Sequence, residues 1–213
     1  MFDGIKNFIF ENSYKNRRNQ KHHKIFNFID LYIKDPLPEN IDILEVIQGV
    51  EEKIPFHLVE KIDVFYIGEF KEFEEKQVNA MYRDGAIYIT NHQDDLPDMV
   101  DDMIHEISHA IEDIYAEQLY ADNKIQNEFI GKRKRLEDML RQYGYLDGKE
   151  LSFADIEHDQ ELDDFLYKEL GYDKLDTFCT GLFIRSYAVT DIREYFATGF
   201  EEFILGDRAY VER

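Results

Sequence analysis

A chain of 213 residues with 44% hydrophobic content can bury one sizeable core or two small ones. Its net charge of −21 argues against binding to nucleic acid or to anionic membranes, because a phosphate-binding surface needs clustered Lys and Arg. No apolar run approaches the roughly 20 residues that span a bilayer, and the single cysteine, Cys179, permits no internal disulfide and reads as a buried structural thiol.

The first residues carry charges inside their apolar part and lack a small-residue cleavage site, so a cytoplasmic or leaderless soluble protein is expected. Residues 1 to about 35 read as helical, with Phe8, Phe26, Phe28, Ile29, Tyr32 and Ile33 as apolar members. The basic stretch 15–24 contrasts with the acidic remainder and reads as a solvated arm. Its His22 and His23 are adjacent, point apart on a helix and make poor partners for one metal. Asp35-Pro36-Leu37-Pro38 marks a connection. The expected organisation is an N-terminal helical arm, residues 1–45, followed by a main domain, residues 46–213.

Residues 41–54 predict a helix that ends before Pro55, and 62–68, rich in β-branched and aromatic residues, predict a strand. Residues 79–82 and 86–90 flank Arg83-Asp84-Gly85 and predict a hairpin. Its second strand, Ala86 to Thr90, directly precedes the most informative helix of the chain. It is expected to be a sheet edge to which an extended peptide adds through main-chain hydrogen bonds.

In that helix Val100, Met103, Ile104, Ile107, Ile111, Ile114 and Tyr115 recur at the spacing of one apolar stripe. Asp94 and Asp95 supply capping and favourable charge at its start, and Pro97 suits its first turn. His105-Glu106-Ile107-Ser108-His109 spells H-E-x-x-H within it, on the side away from the stripe. Residues four apart share a helix face, so His105 and His109 can offer two imidazoles to one metal while Glu106 stands beside it as a general base. The competing reading is a solvated acidic face that happens to carry two histidines.

Residues 117–145 predict further helix, with Leu119, Phe129, Leu136, Met139, Leu140 and Tyr143 buried. The basic run 131–135 reads as solvent-exposed and neutralised by Glu137 and Asp138. After a turn at Asp147-Gly148, a helix over 153–170 is expected to stop at Gly171. A last amphipathic helix spans 192–203, with Ile192, Phe196, Gly199 and Phe203 as its stripe and Glu194 on the other side. A catalytic zinc needs three protein ligands. Glu112 and Tyr115 exclude the pattern in which a third histidine follows the motif, which leaves a Glu on a later helix, and Glu194 is the candidate. Asp113, one turn after His109, and His158 compete for the place.

With these residues in view the chain resembles the gluzincin metallopeptidases, in particular the catalytic-domain type of anthrax toxin lethal factor and the related proline-specific endopeptidases. The resemblance is carried by His105-Glu106-Ile107-Ser108-His109-Ala110, by Glu194-Tyr195-Phe196-Ala197 and by Ser186-Tyr187. It covers roughly residues 60 to 205 and implies an α+β zincin-like fold. It further implies Zn²⁺ held by His105, His109 and Glu194, with Glu106 as catalytic base. Tyr187 is implied as the residue that stabilises the tetrahedral oxyanion; at i and i+7 it and Glu194 would share one helix face. Relatives often carry an acidic residue four positions after the zinc-binding Glu. Here that position is Thr198, so support for the ligands must come from elsewhere, with Asp191, Glu201 and Glu112 as unranked candidates.

The expected function is therefore a zinc-dependent endopeptidase acting on protein or peptide substrates. The acidic surface favours basic ones. The alternative is a catalytically inactive zincin-fold interaction or structural protein.

Overall fold

The computed structural model describes residues 21–76 and 78–206. Their fold is α+β. Strands β1 (Lys21–Ile25), β2 (Ile29–Ile33), β3 (Val64–Ile67), β4 (Ala80–Arg83) and β5 (Ala86–Ile89) form a mixed sheet in the order β1-β2-β3-β5-β4. The chain makes two compact units, one up to Ala110 and the other from Ile111 onward.

In the first unit β1 and β2 are an antiparallel hairpin, although the apolar pattern there predicts helix. Counting Phe26, Phe28, Ile29, Tyr32 and Ile33 mimics a helical stripe, but the side chains that are buried are Ile25, Ile29, Leu31 and Ile33. Their spacing is that of alternating strand positions. Phe26 and Asn27 take positive φ to turn the chain between the strands. The basic residues of β1 are matched by Asp30, which lies 2.6 Å from both His22 and Lys24. The rest of the expected helical arm, residues 1–20, lies outside the described residues.

Strand β2 runs parallel to β3, and β3 parallel to β5, with helix α1 (Ile43–Glu51) in the connection between β2 and β3. Asp42 caps α1 by accepting from the Leu44 N–H at 2.9 Å. Strand β4 pairs antiparallel with β5. Asp84 (φ 50°) and Gly85 (φ 81°) form the two-residue turn, the doubly positive conformation whose twist suits a tight hairpin. A side chain at Gly85 would also meet Asp63 Oδ2 at 2.8 Å. Gly85→Ala should therefore cost about 1–2 kcal/mol, read as a melting temperature lower by roughly 2–8 °C.

The hairpin corrects one expectation. β5, the strand before the H-E-x-x-H helix, is not an edge: β3 occupies one side of it and β4 the other. The chain folds β4 back along the side that the linear sequence leaves open, so β4 is the strand at that edge of the sheet.

One sheet face buries Leu31, Ile33, Phe65, Ile67, Ile87 and Ile89. The other carries a row of stacked rings, His22, Tyr32, Tyr66 and Tyr88, with centroids 4.8, 5.8 and 5.4 Å apart. A short helix α2 (Lys71–Lys76) precedes β4, and helix α3 (Leu96–Tyr120) follows β5. Gly49 of α1 lets the backbone approach Val100 of α3; a Cβ there would stand 3.2 Å from the valine side chain.

The second unit is helical: α4 (Lys124–Gln142), α5 (Gln160–Asp163) continuing into a π-helical turn (Asp164–Leu170), α6 (Tyr172–Cys179) and α7 (Ile192–Leu205). Phe129, Leu136, Leu140, Leu162, Phe165 and Leu166 are among its core residues. Tyr143, expected inside, is 68% exposed just beyond the end of α4.

Two further expectations fail here, for related reasons. Arg133, read as part of a solvated basic run, is fully buried. Its guanidinium donates to the Asp155 carbonyl at 2.5 Å and stands over the rings of Phe129 and Phe153. The helix predicted over 153–170 starts only at Gln160, because Asp159 caps it by accepting from the Glu161 and Leu162 N–H groups. The segment before it is the loop that Arg133 holds.

Candidate metal centre

Helix α3 starts as its sequence predicts. The Asp95 side chain accepts from the Asp98 N–H at 3.0 Å, with Pro97 in the first turn. Met99, Val100, Met103, Ile104, Ile107 and Ile111 are buried, while Ile114 and Tyr115 are only half-buried.

The opposite face is not a solvated one. Glu106 is 6% exposed, His109 8% and Glu112 4%, and His105 is half-buried. Charged and polar groups are almost never buried without a partner or a purpose, so the solvated-face explanation of the two histidines is overturned. Ser108, one of the two central residues of the motif, is fully buried and donates to the His105 carbonyl at 2.5 Å. The two imidazoles lie 5.1 Å apart, centroid to centroid, with their planes at 80°.

Glu194 stands in the first turn of α7. Asp191 caps that helix and accepts from the Glu194 N–H at 2.9 Å, so a capping bond holds the backbone of the expected ligand. His105, His109 and Glu194 each present one ligand atom, and the three atoms lie within 4.8 Å of one another. Among the described residues this is the His, Cys, Asp and Glu group placed to hold a metal ion. The competitors are engaged otherwise. Asp113 accepts from Arg193 Nη2 at 3.0 Å, and His158 pairs with Asp163 at 3.0 Å.

The carboxylates that could support the ligands also have defined partners. Arg193 Nε donates to Glu112 Oε2 at 3.0 Å, and the Tyr120 hydroxyl donates to Glu112 Oε1 at 2.5 Å. Burial and then the neighbouring Glu112 push the Tyr120 phenol above its ordinary pKa, so it remains a donor. Glu201, buried on α7, pairs with Arg185 at 2.5 Å. Thr198, four residues after Glu194, is 2% exposed.

Tyr187 departs from the expected geometry. It lies in a separate 3-10 turn, Ser186–Val189, and the capping residue Asp191 starts a new helix before Glu194. The two therefore do not share one helix face, and Tyr187 is 42% exposed. The stripe of α7 differs as well: its buried residues are Ile192, Ala197, Thr198 and Glu201, while Phe203 is 43% exposed.

Two residues escaped the sequence reading. Asp102, one turn before the motif, accepts from Gln93 Nε2 at 2.8 Å, and burial pushes its carboxyl up to about 6. Its spacing of three before His105 was the available signal. Arg193 gave none, since its partners lie some 80 positions away. Cys179 is buried as expected, and burial pushes its thiol up to about 12, which removes it as a nucleophile.

No protein-family model, curated protein or solved structure matches the chain. No helix among the described residues is long and apolar enough to cross a membrane.

Proposed function

We propose that this protein is a zinc-dependent endopeptidase with a zincin-like α+β fold. The observation that carries it is the approach of the His105 and His109 imidazoles and the Glu194 carboxylate to within 4.8 Å, with Glu106 buried on the same helix. Two imidazoles and a carboxylate are a donor set that suits a catalytic zinc, and His105, His109 and Glu194 would hold it. If bound, zinc would supply a water of pKa near 7 and polarise the scissile carbonyl.

The chain's own residues do the rest. Glu106 takes the proton of the attacking water and passes it to the leaving amine. As the resemblance implies, the Tyr187 phenol would donate to the developing oxyanion. With β5 enclosed on both sides, an extended substrate has the outer edge of β4 to pair with.

The test is elemental analysis of the purified chain, then cleavage of a peptide library by the zinc-loaded protein with and without chelator. Cleavage that requires zinc and favours Lys or Arg near the scissile bond is expected, in keeping with the net charge of −21. Zinc without any Glu106-dependent cleavage would leave a non-catalytic metal-binding protein. Tyr187→Phe should lower kcat by about 10²-fold, with zinc content unchanged and KM little affected. A wild-type kcat would remove Tyr187 from the chemistry.

A further inference from the structure

We infer that Arg193 positions Glu194 for the metal by locking the first turn of α7 onto α3; the inference rests on the metal-centre reading above. A ligand in the first turn of a helix goes where that turn goes, so the question is what fixes the start of α7. Asp191 caps it, and the Ile192 N–H donates to the Ile156 carbonyl at 2.9 Å. The Tyr195 hydroxyl donates to Glu128 at 2.8 Å and accepts from Lys132 at 2.7 Å, both on α4. These bonds tie α7 to α4 and to the loop before α5. Arg193 ties it to the helix that carries the histidines.

The contact is a fork. Nε reaches Glu112 and Nη2 reaches Asp113, both at 3.0 Å, so one planar guanidinium grips two successive residues of α3. A fork restrains rotation as well as distance, which a single ammonium cannot do. Its inner anchor is firm, because Glu112 is 4% exposed and is gripped from the other side by Tyr120. Glu112 follows His109 by three residues and His105 by seven, so it shares their face of α3. Arg193 therefore lands on the imidazole face, and Glu194 is its next neighbour in sequence.

Charge adds a second consequence. Glu112 and Asp113 are carboxylates close in sequence to His109, and Asp113 is the rival ligand that spacing alone suggests. By engaging both, Arg193 sets them apart from the metal and leaves Glu194 to complete the set.

The experiment measures zinc affinity of the full chain by competition with a chromophoric chelator, with helix content followed by circular dichroism. Arg193→Gln is expected to weaken zinc by about 10- to 100-fold at unchanged helix content, with Arg193→Lys in between. Glu112→Gln, which loosens the buried anchor but keeps its shape, should weaken it in the same direction. Glu194→Gln serves as the reference for the centre itself. Wild-type affinity in Arg193→Gln beside a weakened Glu194→Gln overturns the positioning role and leaves the centre standing. Wild-type affinity in Glu194→Gln overturns the centre and the inference together. Should Arg193→Gln fail to fold, Arg193→Lys and Glu112→Gln decide by the same comparison.

Discussion

Replacing Glu106 by Gln is expected to leave a folded, zinc-loaded protein whose kcat/KM for peptide cleavage falls by about 10²- to 10⁴-fold. The substitution keeps the shape of a side chain that is 6% exposed within α3, so the packing of Met103, Ile104 and Ile107 beside it has no reason to change. It also leaves His105, His109 and Glu194 in place, and zinc stoichiometry should match wild type. What it removes is proton acceptance, since an amide cannot take a proton from the attacking water. Full activity in Glu106→Gln would falsify the role assigned to Glu106, whatever the metal content. A fall in zinc content together with activity would instead show that Glu106 supports the metal site.

The parts of this centre that were legible in the sequence are the local ones. The H-E-x-x-H spacing, the Asp95 cap, Pro97 and the Asp84-Gly85 turn act within a few residues, and each is found where the pattern places it. Features that depend on distant partners were not legible. Whether residues 21–33 are helix or strand is decided by β3, which offers β2 a parallel partner and rewards the two-residue alternation of Ile29, Leu31 and Ile33 over the competing helical count. The burial of Arg133 depends on the Asp155 carbonyl in a loop some 20 residues on. That same loop replaces the first part of the helix predicted over 153–170, because Asp159 supplies a later start. Edge position is another property of pairing. Nothing within residues 86–90 shows that β3 and β4 close both sides of β5. The candidate ligands were found because motif and helix amphipathicity are local signals. The Arg193 fork was missed because its meaning lies in Glu112 and Asp113.

Zinc should raise the stability of the protein by about 4 kcal/mol at a free concentration a thousandfold above Kd, because a ligand that binds only the folded state stabilises it by mass action. For a chain of this size that is a rise in melting temperature of roughly 8–16 °C, reversed by chelator. The effect requires all three donors. Glu194→Gln removes the proposed carboxylate ligand from an otherwise intact first turn of α7, so most of the rise should vanish while the metal-free melting temperature stays near wild type. His109→Ala should abolish the rise as well, but it also empties a site that is 8% exposed, so its metal-free form should melt lower and Glu194→Gln is the cleaner test. The pH dependence has a definite sign. Zinc binds neutral imidazoles and an ionised carboxylate, so protons compete for the same atoms; the zinc-dependent rise should hold near neutral pH and shrink as pH falls below about 6. An equal rise in wild type and Glu194→Gln would mean that α7 contributes no ligand. The metal would then be held from α3 and elsewhere, and Asp113, one turn beyond His109, would become the residue to substitute next.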